Sequence, residues 1–235
     1  MDVDNINEKE ALLGFLRSFI SESRNRKFDE NIRYRTRYMT IVLEDIFQSH
    51  NASAVLRSCD CFGIQDVHII ENENIYEVNP DVALGSSKWL SMSKYNSATH
   101  NTIQCISHLK EQGYKIVATS PHENDFSPDN LPLDQKFALV FGTELKGLTK
   151  EAFESADAYI KIPMVGFTES LNISVSAALL LYSLSDRLRN SNHPWRLTKE
   201  EETEVLLQWT RSSIRRSAIL EKEFLRKFKN EDAGI

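Results

Sequence analysis

An α/β fold, with a mostly parallel sheet covered by helices on both faces, is the architecture this sequence predicts. Three observations carry it. Short apolar runs at 39–43, 66–70, 115–119, 137–141 and 158–162 alternate with longer stretches of helical period. These runs are nearly continuous in apolar character, as strands buried on both faces require. There is also no internal repeat or low-complexity tract to suggest a solenoid or a disordered chain.

The elements follow in order. Ala11, Leu12, Phe15, Leu16, Phe19 and Ile20 recur at helical spacing, so the N-terminal segment is an amphipathic helix whose wide apolar stripe needs a partner surface. The strand at 39–43 leads into a helix over 51–62 that Asn51 is placed to cap. After the strand at 66–70 come a helix over 98–112, stopped by Gly113, and the strand at 115–119. Residues 120–135 hold three prolines and no period, which reads as a long loop. The strand at 137–141 precedes a helix over 149–155 capped by Thr149, and the strand at 158–162 precedes a helix over 172–189 with Ile173, Ala177, Leu180, Leu181, Leu184 and Leu188 on one face. Beyond Pro194, Thr198 and Glu201 have the spacing of a capping box and open a helical tail carrying Trp209, Leu220, Phe224, Leu225 and Phe228. The expected organisation is an N-terminal helical extension (1–37), a central α/β domain (38–190) and a C-terminal helical extension (191–235).

Composition excludes several classes. With 41% apolar and 26% charged residues over 235 positions, the chain can bury a domain-sized core. It has no apolar stretch near the roughly 20 residues a membrane span needs. Asp2, Asp4, Glu8 and Glu10 oppose a secretory signal, so a cytoplasmic location is expected. Three cysteines, Cys59, Cys61 and Cys105, form no metal-ligand spacing, and no metal is expected; Cys59 and Cys61 fall on a predicted helix, where a buried thiol acts as a small hydrophobe. A net charge of −6 argues against a protein that coats nucleic acid. Positive charge is nonetheless clustered, in Arg24, Arg26, Lys27, Arg33, Arg35 and Arg37 before the core and in Arg211, Arg215, Arg216, Lys222, Arg226, Lys227 and Lys229 in the tail. Phosphate contacts need only local charge. Solvated helix faces interleaved with Asp29, Glu30, Glu221 and Glu223 would read the same way.

Three motifs carry chemistry. The first runs from His50 through Asn51 to Arg57 at the start of a helix. The second ends the strand at 137–141 on Gly142-Thr143-Glu144-Leu145-Lys146-Gly147. The third is Ile162-Pro163-Met164-Val165-Gly166, followed by Ser170-Leu171-Asn172-Ile173-Ser174-Val175-Ser176, a polar loop entering a small-residue helix. A strand end, a loop and a helix N-terminus together present backbone N–H groups and polar side chains at one place, as a ligand edge does. An ordinary connection whose asparagine only caps would look alike. A dinucleotide fold is a rival for such βα alternation, but no Gly-x-Gly-x-x-Gly follows an early strand.

Together and in this order, the three motifs resemble the SpoU/TrmH branch of the knotted RNA methyltransferases, over roughly residues 35–188. The run 35–44 and Leu84-Gly85-Ser86-Ser87-Lys88-Trp89 look most like the members that 2'-O-methylate guanosine 18 in the tRNA D-loop. The resemblance implies a trefoil knot in the C-terminal half, S-adenosylmethionine as cofactor, tRNA as partner and a homodimer whose sites draw on both subunits. It also implies cofactor contacts at Thr119, Gly142, Ile162 and Leu171, and catalytic roles for Arg57, Asn51, Glu144, Ser170 and Asn172. Thr119 follows from position as well, at the carboxyl end of a strand. A guanidinium stays protonated in proteins, so Arg57 reads as a clamp on phosphate and developing oxyanion charge. Asn51 and Glu144 hold Arg57 and the loop, and Ser170 and Asn172 arrange acceptor and cofactor. The dimer interface is expected from the helix at 172–189, with its small-residue stripe Ser174, Ala177 and Ala178, and from the N-terminal helix. The short N-terminal extension favours tRNA over ribosomal RNA. A ribosomal RNA or wobble-nucleotide target, a non-catalytic RNA-binding protein and a scaffold protein are the alternatives.

Overall fold

The computed structural model describes residues 6–77, 79–121, 123, 125–143 and 146–232. Along the chain run α1 (Ile6–Arg17), α2 (Glu22–Ile32), β1 (Met39–Glu44), α3 (Ser49–Cys61), β2 (Asp66–Ile70), α4 (Pro80–Ala83), β3 (Ser91–Tyr95), α5 (Asn101–Glu111) and β4 (Lys115–Thr119). They are followed by β5 (Phe137–Phe141), α6 (Lys150–Glu154), β6 (Ala158–Ile160), α7 (Ile173–Arg189), α8 (Lys199–Ser213) and α9 (Ser217–Asp232). The chain divides into two compact units, Thr36–Trp195 on one hand and Met1–Arg35 with Arg196–Ile235 on the other.

The central unit is a six-stranded sheet in the order β3-β2-β1-β5-β4-β6, with every neighbouring pair parallel. β1 and β5 are buried along their whole length, which explains their unbroken apolar runs. One face packs Leu139, Ile41 and Val117 with Leu56, Ala177, Leu180 and Leu184 of α3 and α7. The other packs Val42, Val140 and Ile116 with Cys105, Ile106 and Leu109 of α5. Strand order reverses beside β1, because the chain moves outward to β2 and β3, crosses to β4, and then places β5 between β1 and β4. The carboxyl ends of β4, β5 and β6 therefore share one edge of the sheet.

Three elements went unread in the sequence, the four-residue α4 among them. β3 (Ser91–Tyr95) is an edge strand of mostly exposed, polar residues, so it has no apolar run to reveal it. α2 buries only Phe28 and Ile32, too few to mark a period, and is capped by Ser21, whose side chain accepts the Arg24 N–H. Asn51 is not a cap: Gln48 occupies that position, and Asn51 stands inside the first turn of α3 with its own side chain engaged elsewhere. Cys61 is exposed, unlike Cys59 and Cys105. On α7, Ala177 faces the core, so the exposed stripe is Val175, Leu179 and Tyr182 and not the small-residue one.

In the second unit, Leu12, Leu13 and Leu16 of α1 are buried where α1 packs on α8 and α9. The leucines of the α1 stripe are thus covered within the chain while Phe19 beyond the helix stays half exposed, which weakens the reason to assign the stripe to a subunit interface. Trp209 is almost fully buried, with Phe28 at 5.4 Å between ring centroids and the Arg35 guanidinium 5.1 Å from its ring. Thr198 and Glu201 form a capping box at the start of α8. The tail is two helices, because Arg216 adopts a left-handed conformation (φ 64°) between α8 and α9.

Candidate active site

At the shared edge of β4, β5 and β6 lies a cleft of about 460 Å³. Its floor is apolar, made by Phe141, Ile160, Ile173 and Leu180. One wall is the turn after β5, another the loop at 162–171, and a third the stretch Thr119, Ser120 and Pro121 after β4.

The turn after β5 explains its glycines. Thr143 and Gly147 exchange both backbone hydrogen bonds, at 2.9 and 3.0 Å, and the Lys146 N–H adds a bond to Thr143 Oγ1 at 3.0 Å. Gly147 takes φ 68°, which only glycine adopts freely. A Cβ on Gly142 would collide with the backbone of Gly147 and Leu148, so the closed turn admits no side chain there. Glu144, the motif's acidic residue, lies outside the described residues.

Among the described residues, the backbone of the 162–171 loop makes no hydrogen bond to other backbone groups. Its N–H and C=O groups are open to a ligand. Val165 and Phe167 are fully exposed at its crest, while Met164, Glu169, Ser170 and Leu171 line the cleft. The loop ends on Asn172, the N-cap of α7. Its Oδ1 accepts the Ser174 N–H at 2.8 Å and the Ser174 hydroxyl at 2.6 Å.

The Asn172 amide then donates to Asn51 Oδ1 at 3.2 Å, and the Asn51 amide donates to Gln48 Oε1 at 3.1 Å. Two asparagines from different motifs, 121 residues apart in sequence, are therefore joined side chain to side chain. Asn51 is buried and Asn172 exposed. Thr119, Gly142, Ile162, Ser170 and Leu171 all line the cleft; Asn51, Arg57 and Asn172 do not. Arg57 stands two turns into α3, exposed, and among the described residues it forms no ion pair or hydrogen bond.

Sequence reasoning passed over several polar groups around this edge. Asp45, directly after β1 with φ 53°, accepts the N–H groups of Asn72, Glu73 and Asn74 on one carboxylate oxygen, at 2.9, 2.8 and 2.8 Å. Glu71 is buried and accepts from Lys94, Asn96 and the Tyr76 N–H. Burial alone would raise its pKa, but those donors outweigh it and hold the carboxyl below its usual range. Lys146, at the cleft, pairs with Glu73 at 3.3 Å across the surface. Asp45, Glu71 and Glu73 belong to no motif, and Lys146 lies within the second motif without an assigned role; a carboxylate or lysine among turn residues gives no sign of what folds over it.

No group of His, Cys, Asp and Glu able to hold a metal occurs among the described residues, and no helix there is long and apolar enough to cross a membrane.

The parallel sheet carries a glycine-closed turn beside a Pro/Gly loop at its carboxyl edge, and the chain belongs to the SpoU rRNA Methylase family, whose model matches residues 38–182. Several of its relatives are named for one nucleotide. The chain is 43% identical over 209 residues to the tRNA (guanosine(18)-2'-O)-methyltransferase of Borreliella burgdorferi, a match covering 89% of this chain and 94% of that protein. It is 33% identical to the enzyme of the same name from Thermus thermophilus, covering 81% and 97%. The crystal structure of the A. aeolicus TrmH/SpoU tRNA modifying enzyme superposes with a TM-score of 0.73 at 27% identity, covering 83% of this chain and 98% of that one.

Proposed function

We propose that this chain transfers the methyl group of S-adenosylmethionine to the ribose 2'-hydroxyl of guanosine 18 in the D-loop of tRNA, in the cytoplasm. The observation that carries the target is the 43% identity to a guanosine 18 enzyme along 94% of that enzyme's length. The cleft fits the cofactor. Its apolar floor suits an adenine face, the open backbone groups of the 162–171 loop suit the polar edge of the base, and about 460 Å³ accommodates a nucleoside. Thr119, Gly142, Ile162 and Leu171 would hold it. When bound, it supplies a methyl group already activated on a sulfonium.

The protein's work is then to place the acceptor oxygen in line and ease loss of its proton. Ser170 lines the cleft beside Leu171 and orients the acceptor. Asn172 caps α7 and grips Asn51, which fixes the approach of α3 to the cleft. Glu144 steadies the turn after β5. Arg57, exposed and unpaired among the described residues, clamps the phosphate next to the target ribose and stabilises charge on the 2'-oxygen.

Arg57 works across a homodimer interface, on the cofactor held by the other subunit. Supporting this, α7 presents Val175, Leu179 and Tyr182 as an exposed apolar stripe, and α7 packs beside α3. The segment from β5 to α7 carries the family's trefoil knot, and residues 38–190 form the catalytic domain. The flanking helical segments, 1–37 and 191–235, contact tRNA through exposed basic residues including Arg26, Lys27, Arg33, Arg215, Arg216, Lys222 and Arg226. Arg35 is buried under Trp209, Arg37 pairs with Asp66, and Arg211 is held by Glu221 at 3.0 Å, so these three serve structure.

The test is to react the purified protein with methyl-labelled cofactor and unmodified tRNA transcripts, then map the product. Label at guanosine 18, and none on a transcript with a 2'-deoxy residue there, is the expected result. Label at another nucleotide, or on ribosomal RNA alone, overturns the target assignment.

A further inference from the structure

The structure assigns a positioning role to Glu44, a buried carboxylate outside all three motifs. We propose that Glu44 holds the turn after β5 in its cofactor-binding shape, an inference that rests on the cleft being the S-adenosylmethionine site. Glu44 ends β1 and is 1% exposed. In the parallel register Leu43 stands beside Phe141, so Glu44 lies level with Gly142, where the turn begins. Its side chain reaches the other end of the same turn. Glu44 Oε2 accepts the Thr149 N–H at 2.9 Å, and Oε1 accepts the Thr149 hydroxyl at 2.7 Å. The Thr102 hydroxyl of α5 donates to Oε1 at 2.6 Å.

Thr149 is the N-cap of α6 and closes the wall formed by Gly142, Thr143, Lys146, Gly147 and Leu148. Both ends of that wall are thus fixed to β1, one by strand pairing and the other by Glu44.

The site offers Glu44 donors on both oxygens. The Thr149 hydroxyl already accepts from the Ala152 N–H, and the Thr102 hydroxyl already accepts from the Asn72 amide, so each turns its single proton toward Glu44. With the Thr149 N–H, three donors converge on two acceptor oxygens. A glutamine would bring an NH2 group against either the N–H or the two hydroxyl protons, so at least one buried donor would lose its partner in either orientation. A merely stabilising contact would weaken the fold without preference for the cleft. Glu44, acting through Thr149, should affect cofactor binding selectively.

The experiment is calorimetric titration of S-adenosylmethionine into the full-length wild type, Glu44→Gln, Thr149→Ala, Thr149→Ser and Thr102→Val, with melting temperatures and Michaelis constants for cofactor and tRNA. Glu44→Gln should weaken cofactor binding about tenfold or more, the scale for losing a bond to a charged acceptor, and raise the Michaelis constant for cofactor while that for tRNA holds. Thr149→Ala should weaken binding several-fold and Thr149→Ser should restore it. Thr102→Val, which removes the bond that does not touch the turn, should lower the melting temperature yet keep cofactor affinity within about twofold. Wild-type affinity in Glu44→Gln, or an equal loss in Thr102→Val, overturns the positioning role while leaving the cofactor site intact. Should Glu44→Gln fail to fold, unchanged affinity in Thr149→Ala overturns it instead. A wild type that binds no S-adenosylmethionine overturns the reading of the cleft and this assignment with it.

Discussion

Replacing Asn172 by aspartate, with alanine as the comparison, separates two jobs that one side chain performs. Its Oδ1 caps α7 through the Ser174 N–H, and its amide nitrogen donates to Asn51 at 3.2 Å. Alanine removes both. Loss of a cap costs about 1 kcal/mol and loss of the bridge about 1 kcal/mol more, roughly 2 kcal/mol together. For a chain of this size that lowers Tm by about 4–8 °C. Aspartate keeps the cap and suits the helix N-terminus, but it sets an acceptor oxygen against Asn51 Oδ1. Its Tm should fall by only about 2–4 °C. If the Asn51 bridge sets the approach of the first motif to the cleft, both variants lose methyl transfer by about tenfold or more at saturating tRNA and cofactor. The assay is single-turnover transfer beside a thermal melt. Asn172→Asp with wild-type turnover would refute the reasoning and leave Asn172 a cap and nothing else.

Three further outcomes are expected. Arg57→Ala and Arg57→Lys should both abolish transfer while cofactor affinity holds, since a point charge cannot replace the guanidinium fork; mixing Arg57→Ala chains with a Leu171→Asp variant should regain part of the activity in heterodimers, and no rescue in verified heterodimers would rule out a site shared between subunits. Burial, reinforced by the nearby charge of His108, pushes His68 down to about 4 from its ordinary 6.5. The folded state therefore binds fewer protons than the unfolded one between those values, so stability is complete above pH 6.5 and is lost as pH falls toward 4, by about 2 kcal/mol at pH 5; urea melts at pH 7.5 and 5 should show this loss in the wild type and not in His68→Asn. Finally, tRNA affinity should fall steeply from low to physiological salt, and Lys222→Ala with Arg226→Ala should flatten that slope without touching cofactor affinity; an unchanged slope would return α9 to a solvated face.

What the sequence discloses of the fold depends on burial. β1 and β5 are buried at every position, and so they show as unbroken apolar runs, whereas β3, exposed on most of its length, reads as loop. Glycines were informative for the same kind of reason. Gly142 and Gly147 mark a turn that closes on itself too tightly for a side chain, and that is a local property carried by local sequence. The Asn51 to Asn172 bridge is not local. Each asparagine alone is consistent with helix capping, and only the packing of α3 on α7 distinguishes the one that caps from the one that is gripped.

Glu44 and Arg57 mark the two ways in which a functional residue escapes a one-dimensional reading. Glu44 looks like the polar stop that commonly follows a strand, and its chemistry appears only when Thr102 and Thr149, 58 and 105 residues away, arrive as donors. A carboxylate buried with three donors is costly to place unless its geometry is used, which is the physical reason to connect it with the shape of the cleft wall. Arg57 is the reverse case. The motif makes it conspicuous, yet within one chain it lies outside the cleft and, among the described residues, forms no ion pair or hydrogen bond. If it does chemistry, the acceptor must be brought to it by something the single chain lacks, and the exposed Val175, Leu179 and Tyr182 on α7 are the surface on which a second chain would supply that. The catalytic assignment of Arg57 and the homodimer consequently stand or fall together, and an active monomer would remove both.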